Sequence, residues 1–361
     1  MLLDTLLERG SAFLGVKYPI ICGAMTWISD HRLVSAVAST GAFGLLAGAN
    51  APAQVLREQI EKTRQATPHP FGVNLITIAP NYLDHLSLAI EMRVPTIVFA
   101  GSIPRASEIM RAKDSGVKVI CFAPTDMLAH KMIDQGADAL ILEGSEAGGH
   151  IGPVSLTVLL QQILFKVPNV PIFVAGGIAH GQMIAHLLLM GAAGVQMGTR
   201  FVMSEECAAH PAFKEAFRRA KARDAVATPQ FDSRLPVIPV RALHNEGTIE
   251  FKKLQLELLE KLDHDMISKA EAQESVERFW MGALQRAVVD GDVKKGSLMA
   301  GQSVGLVDEI KPMAALVAEL LQDAEAALQK VLSVLVKRAP EAQATATQGG
   351  AVHINTSPAG T

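Results

Sequence analysis

Short apolar runs punctuate the first two hundred residues at regular intervals: PIICG at 19–23, FGLLAG at 43–48, FGVNLI at 71–76, TIVFAG at 96–101 and VKVICFA at 117–123. They continue as ADALILEG at 137–144, VPIFVAGG at 170–177 and AGVQMGT at 193–199. Runs of this length without alternation suit strands covered on both faces, as in a parallel sheet. Between them lie amphipathic stretches of helical length: Arg32 to Ser39, Gln54 to Gln65, Tyr82 to Met92, Ala106 to Asp114, Met127 to Gln135, Leu156 to Phe165 and Met183 to Met190. Gly41, Gly116, Gly136 and Gly191, or Pro70, Pro95 and Pro171, stand ahead of many strands as helix terminators. Strand and helix in strict alternation leave two architectures, a closed (β/α)8 barrel and an open doubly wound sheet. Eight strands favour the barrel.

After Phe201 the alternation stops. Pro211 to Asp224 reads as a helix rich in Lys214, Arg218, Arg219, Lys221 and Arg223, prolines at 229, 236 and 239 mark irregular chain, and Ile249 to Leu262 and Ala270 to Val288 read as helices. The pattern predicts an α/β TIM barrel over 1–202 and 292–338 with a small, mostly helical subdomain inserted at 203–291. GSLMAGQSVG at 296–305 reads as a loop near the barrel mouth, a final amphipathic helix spans about Pro312 to Leu335, and 339–361 reads as a disordered tail.

Composition narrows the functional classes. A formal charge of -3 from 33 basic and 36 acidic residues carries no footprint for nucleic acid. Cys22, Cys121 and Cys207 are odd in number and widely spaced, against a disulfide framework or a zinc site. The first ten residues lack a secretory signal and no apolar stretch reaches spanning length, so a soluble, cytoplasmic protein without a membrane partner is expected.

In a barrel the strand ends converge on one rim, where enzymes of this fold keep their chemistry. Here those ends hold Met25 to Trp27, Gly48 to Asn50, Asn74, Gly101 and Ser102, Glu143 to His150, Gly176 and Gly177, and Gly198 to Arg200. His150, displayed by EGSEAGGHIG, is the candidate acid/base group, against a purely structural histidine. Glycine pairs at 176–177 and at 198 with Thr199 offer bare amides for a cofactor phosphate, against ordinary tight turns. Asn74 and Gln196 present both donors and acceptors to a ring bearing carbonyl and N–H groups. Glu143 would accept from a polyol or orient His150, or satisfy loop amides. No nucleophile elbow, paired carboxylates or metal-binding helix motif is present, so the chemistry is expected to come from a cofactor. The absence of GxGxxG after an early strand argues against a Rossmann-bound one.

The ordered segments YPIICGAMTW, AGANAP, PFGVN, EGSEAGGHIG, AGGIAHG, VQMGTRFVMSEECAAHPAFKE, VRALHN and GDVKKGSLMAGQSVGLV resemble the nitronate monooxygenase-like (2-nitropropane dioxygenase) superfamily of FMN-dependent barrels from about Lys17 to Ala327. Within it, the chain is most similar to flavin-dependent enoyl-acyl carrier protein reductases. The resemblance implies FMN with its phosphate on Gly176, Gly177, Gly198 and Thr199 and its ring near Ala24, Met25, Asn74 and Gln196, with Glu143, Gly149 and Met197 adjoining. His150 matches the histidine beside the flavin. Two reactions follow from the resemblance: NADH- or NADPH-dependent reduction of an enoyl thioester, with an acyl carrier protein or a homodimeric mate as partner, or oxidation of alkyl nitronates with oxygen. The reductase relatives usually carry GGMAW where this chain has GAMTW at 23–27, and aspartate where it has His180.

Overall fold

The computed structural model describes residues 2–48, 51–167, 169–232, 235 and 238–348, with side chains through 336. Eight parallel strands close into a barrel: β1 (Ile20–Cys22), β2 (Phe43–Ala47), β3 (Gly72–Ile76), β4 (Thr96–Ala100), β5 (Lys118–Phe122), β6 (Ala139–Glu143), β8 (Ile172–Ala175) and β9 (Gly194–Met197). The order is sequential, and β9 closes onto β1 through pairs such as Gln196 with Ile21. Each apolar run seen in the sequence is a barrel strand. A two-residue strand, β7 (Gly149–His150), leaves the barrel and joins β11 (Val240–Leu243), which also pairs with β10 (Ala225–Ala227).

Period-two alternation decides what faces the barrel interior. Ile21, Phe43, Leu45, Val98, Ile120, Ala139, Ile141, Phe173 and Ala175 form one buried cluster inside it, while their neighbours Cys22, Leu46, Ile97, Leu140 and Val174 join the layer under the helices. Continuing the same parity up each strand brings Asn74, Phe122, Glu143 and Gln196 to the inner face at the C-terminal rim.

The floor is closed by a helix over Leu2–Leu14, which the sequence reading did not assign. Its last turn puts Phe13 6.0 Å from Phe173, centroid to centroid, and Leu14 into the interior cluster, and Lys118 Nζ donates to the Phe13 carbonyl. The interior is therefore packed from below and open only at the rim.

The stretch at 203–291 is divided between two cores. Leu235, Val240, Phe251, Leu258, Ala272, Val276 and Trp280 form a separate cluster, with the Phe251 and Trp280 rings 4.2 Å apart. Phe213, Phe217, Leu243, Leu284 and Val288 instead belong to the main barrel cluster. The long basic helix expected over Pro211 to Asp224 ends at Arg219 and is followed by a 3-10 turn at Ala222–Asp224. Its basic face is also broken: Lys214 is buried, donating to the Ser204 carbonyl at 2.6 Å, while Arg218 and Arg219 both pair with Glu215.

The closing helix runs from Met313 to Gln348, beyond the Leu335 boundary expected and into the stretch assigned to a tail, whose residues 349–361 lie outside those described. It packs against the helix at Gly181–Leu189, where a Cβ on Gly181 would lie 2.0 Å from the Leu320 carbonyl oxygen, so glycine there permits backbone contact between the helices. Among the described residues no helix is long and apolar enough to cross a membrane.

Candidate active site

The rim encloses a cavity of about 310 Å3. Each residue expected at the cofactor or as the acid/base group borders it: Ala24 and Met25 after β1, Asn74 on β3, Glu143 at the end of β6, Gly149 and His150 on β7, Gly176 and Gly177 after β8, and Gln196, Met197, Gly198 and Thr199 from β9 onward, whereas Gly48 and Arg200 do not. Met197 contributes differently from its neighbours, because its side chain packs in the outer layer and leaves its backbone to border the cavity. Thr26, Gly101 and Ser102 also border it, while Trp27, held at φ 67°, does not. Asn50 lies outside the described residues.

The glycine turns fit an anionic group to different degrees. Gly198 caps the short helix Thr199–Val202, and a Cβ there would meet only Met25, at ordinary contact distance, so the space above it is free of protein. Gly176 and Gly177 immediately follow β8 and stand ahead of the helix that begins at Gly181, not at its first turn as expected. Both have positive φ, 97° and 71°. That helix lacks a side-chain cap from His180, in keeping with the departure noted in the sequence. Thr199 Oγ1 already accepts from the Gly301 amide at 3.0 Å, which ties the GSLMAGQ loop to the rim and leaves the hydroxyl hydrogen free to donate.

Polar side chains at the inner face lack partners among the described residues. Asn74 is 8% exposed and its side chain makes no hydrogen bond among them; Gln196 Oε1 is buried with no partner there. Buried amides without partners are costly unless a ligand satisfies them. Gln196 is also held in place, since its side chain lies against Gly23, where a Cβ would come within 3.1 Å. The orphaned amides and the open Gly198 cradle together fit a planar heterocycle carrying a phosphate.

Among the described residues Glu143 has no charged partner either, and burial pushes its carboxyl from 4.5 up to about 8. It is enclosed by protein yet borders the cavity, so at neutral pH it stands largely protonated, able to donate as well as accept. A carboxyl raised in the folded state stabilises the fold below its unfolded value, and that contribution is lost as pH rises through the folded one. Flavin-free protein should therefore lose thermal stability between about pH 4.5 and 8, and Glu143→Gln should flatten that part of the profile. Equal slopes for the two proteins in a pH series of melting scans would contradict the assignment. The cysteines stay outside the chemistry: burial raises all three thiols, Cys121 to about 12.

His150 is positioned by backbone. It pairs with Val240 of β11, Gly149 pairs with Arg241, and the Ile151 amide donates to the Pro239 carbonyl. Arg241 reaches back from β11, its Nε donating to the Ser145 carbonyl at 3.0 Å and its Nη1 to the Ala225 carbonyl at 2.7 Å. The 301 loop presses on the same segment: a Cβ on Gly148 would sit 2.5 Å from the Ala300 carbonyl carbon and the Gly301 nitrogen. The EGSEAGGHIG loop is thus fastened on two sides. No hydrogen bond or ion pair links Glu143 to His150 among the described residues. The carboxylate facing the ring is Glu277, from the helix at Lys269–Val288, 3.6 Å from Nε2.

The apolar wall was missed by sequence reasoning. Ile103, Phe122, Leu128 and Ile238 border the cavity: Ile103 comes from the loop after β4, Phe122 from the end of β5 and Leu128 from the helix at Asp126–Asp134 that follows it, across the barrel from the glycine turns after β8 and β9. Apolar residues at a strand end or on a helix read as ordinary core.

The nitronate monooxygenase profile matches residues 8–323, most of the chain and every barrel strand. The chain belongs to the nitronate monooxygenase family. Within the family's range of relatives, it is 31% identical over 342 residues to the (3aS,4S,5R,7aS)-5-hydroxy-7a-methyl-1-oxo-octahydro-1H-indene-4-carboxyl-CoA dehydrogenase of Mycobacterium tuberculosis, covering 88% of this chain and 95% of that protein. It is 29% identical to a probable nitronate monooxygenase of Staphylococcus aureus, covering 63% of this chain and 77% of that one. Among solved structures, FabK from Thermotoga maritima superposes with a TM-score of 0.80 at 36% identity, covering 90% of this chain and 98% of that one. Like its relatives in the nitronate monooxygenase family, the protein is an oxidoreductase of the FMN type on a TIM barrel.

Proposed function

We propose that the protein is an FMN-dependent oxidoreductase acting at the α,β-bond of an acyl thioester, in the reducing direction with NADH or NADPH as electron donor. The observation that carries this reading is the two-sided cavity. Phosphate-binding turns lie after β8 and β9, and an apolar wall of Ile103, Phe122 and Leu128 lies across from them, suited to an acyl chain. The near full-length relative named as a carboxyl-CoA dehydrogenase supports a thioester over a small free acid.

In this reading Gly176, Gly177, Gly198 and Thr199 hold the phosphate of FMN, Asn74, Gln196, Ala24 and Met25 border its ring, and protonated Glu143 meets a ribityl hydroxyl. When bound, the flavin supplies hydride transfer to the β-carbon of the enoyl group. His150 delivers the proton that the α-carbon takes up, so one hydride and one proton saturate the bond.

The family profile favours a second reading, oxidation of alkyl nitronates with oxygen, in which His150 moves a proton on a much smaller substrate. The reductive half-reaction separates the two. Mixed anaerobically with NADH or NADPH in a stopped-flow instrument, the purified flavoprotein should bleach near 450 nm within seconds. Bleaching by propyl nitronate alone, with both nicotinamides inert, would replace the first reading with the second.

A further inference from the structure

Among the described residues the His150 ring and the Glu277 carboxylate have no other hydrogen-bond or ion-pair partner. The Nε2 atom of His150 is shielded from solvent and makes no hydrogen bond, and its nearest opposite charge is Glu277 Oε1 at 3.6 Å. Glu277, whose side chain is 21% exposed, faces no other cation or donor among the described residues. An enclosed ring nitrogen without a partner is costly. A small side-chain rotation would shorten 3.6 Å to a hydrogen bond and satisfy it. Contacts of this kind are often long without substrate and tighten when it binds.

The remaining ring nitrogen has a different environment. The His150 side chain is 31% exposed and borders the cavity, while Nε2 is enclosed, and among the described residues Nδ1 makes no hydrogen bond. We infer that Glu277 is a positioning residue: its carboxylate accepts the Nε2 proton of His150, fixes the ring orientation and tautomer, and thereby makes Nδ1 the atom that exchanges a proton with substrate. This rests on the acid/base role given to His150 in the proposed function, and it adds which nitrogen acts and which residue selects it. A carboxylate behind a histidine acts in this way wherever a single tautomer must be presented.

The inference also gives the inserted segment a catalytic purpose. Glu277 stands on the same helix as Val276 and Trp280, which pack in the insertion's own cluster, and Val240 of that cluster lies on the strand that pairs with His150. One small core therefore sets both the backbone of the histidine and the group behind its ring.

The test uses the flavin-loaded full chain with 15N-labelled histidine. Two-bond nitrogen–proton correlation spectra report the tautomer of His150, its signals being those lost in His150→Ala. In the wild type Nε2 should be the protonated nitrogen and Nδ1 the bare one; in Glu277→Gln and Glu277→Ala the signals should move toward a mixed tautomer. Both variants should keep wild-type flavin content and KM while kcat falls about 10- to 100-fold. Flavin content reports whether each variant has folded, and the glutamine variant preserves size if alanine unsettles the helix. An unchanged His150 tautomer, or kcat within twofold of wild type in a flavin-loaded variant, overturns the inference. The tautomer readout needs no substrate, and kcat is measured with whichever donor reduces the flavin. A nitronate-specific enzyme would thus refute the thioester reading and leave this one standing.

Discussion

His150→Ala should leave flavin bound at wild-type stoichiometry and lower turnover by about 100- to 10,000-fold, the range typical of a lost general acid or base. The separation of the two effects follows from how the residue is held. Its position in β7 depends on backbone pairing with Val240 and on the fastening of the loop by Arg241 and the 301 segment, none of which needs the imidazole. The glycine turns after β8 and β9, proposed to hold the phosphate, are separate from it. Visible absorbance per mole of protein gives the flavin content, and steady-state turnover per bound flavin gives the chemistry. Loss of flavin with unchanged activity per remaining flavin would make His150 a structural residue.

Gly198→Ala should do the reverse, weakening FMN while sparing the fold. The backbone there has φ -116°, open to any residue, and the new Cβ would touch only Met25, at 3.5 Å from its sulfur. That methyl enters the space assigned to the phosphate. Losing one hydrogen bond to a charged group costs about 1.5–3 kcal/mol, roughly a 10- to 100-fold rise in Kd. Melting of the flavin-free protein should stay within experimental error of wild type. Gly176→Ala is the contrasting control, since φ 97° and a Gly144 carbonyl oxygen 3.0 Å from the new Cβ would strain the fold itself. Equal flavin affinity for wild type and Gly198→Ala would remove the phosphate from this turn.

The barrel was legible because each strand is a short, largely apolar run and because helices of matching length separate them. The same continuity concealed which residues face inward. Asn74, Glu143 and Gln196 advertised themselves as polar residues at apolar strand ends, whereas Phe122 and Leu128 looked like core and only the barrel's closure shows them bordering a cavity. Glu277 was invisible for another reason. It lies among other charged residues on an amphipathic helix 127 positions after His150, and no local spacing announces a pair made by tertiary packing. The strand pairing of Gly149 and His150 with β11 was hidden likewise, since two residues carry no periodicity. The Leu2–Leu14 helix carries no local sign of its role in plugging the barrel floor, which depends on Phe13 meeting Phe173 far along the chain.

The proposed activity is tested most directly by the oxidative half-reaction. Flavoprotein reduced anaerobically with one equivalent of dithionite is mixed with crotonyl-CoA in the absence of oxygen. Absorbance near 450 nm should return as the saturated thioester forms in equal amount, and the same return should be slowed severely in His150→Ala. Flavin that stays reduced with crotonyl-CoA and longer-chain enoyl thioesters, and reoxidises only when oxygen is admitted, would contradict an acyl thioester as the substrate.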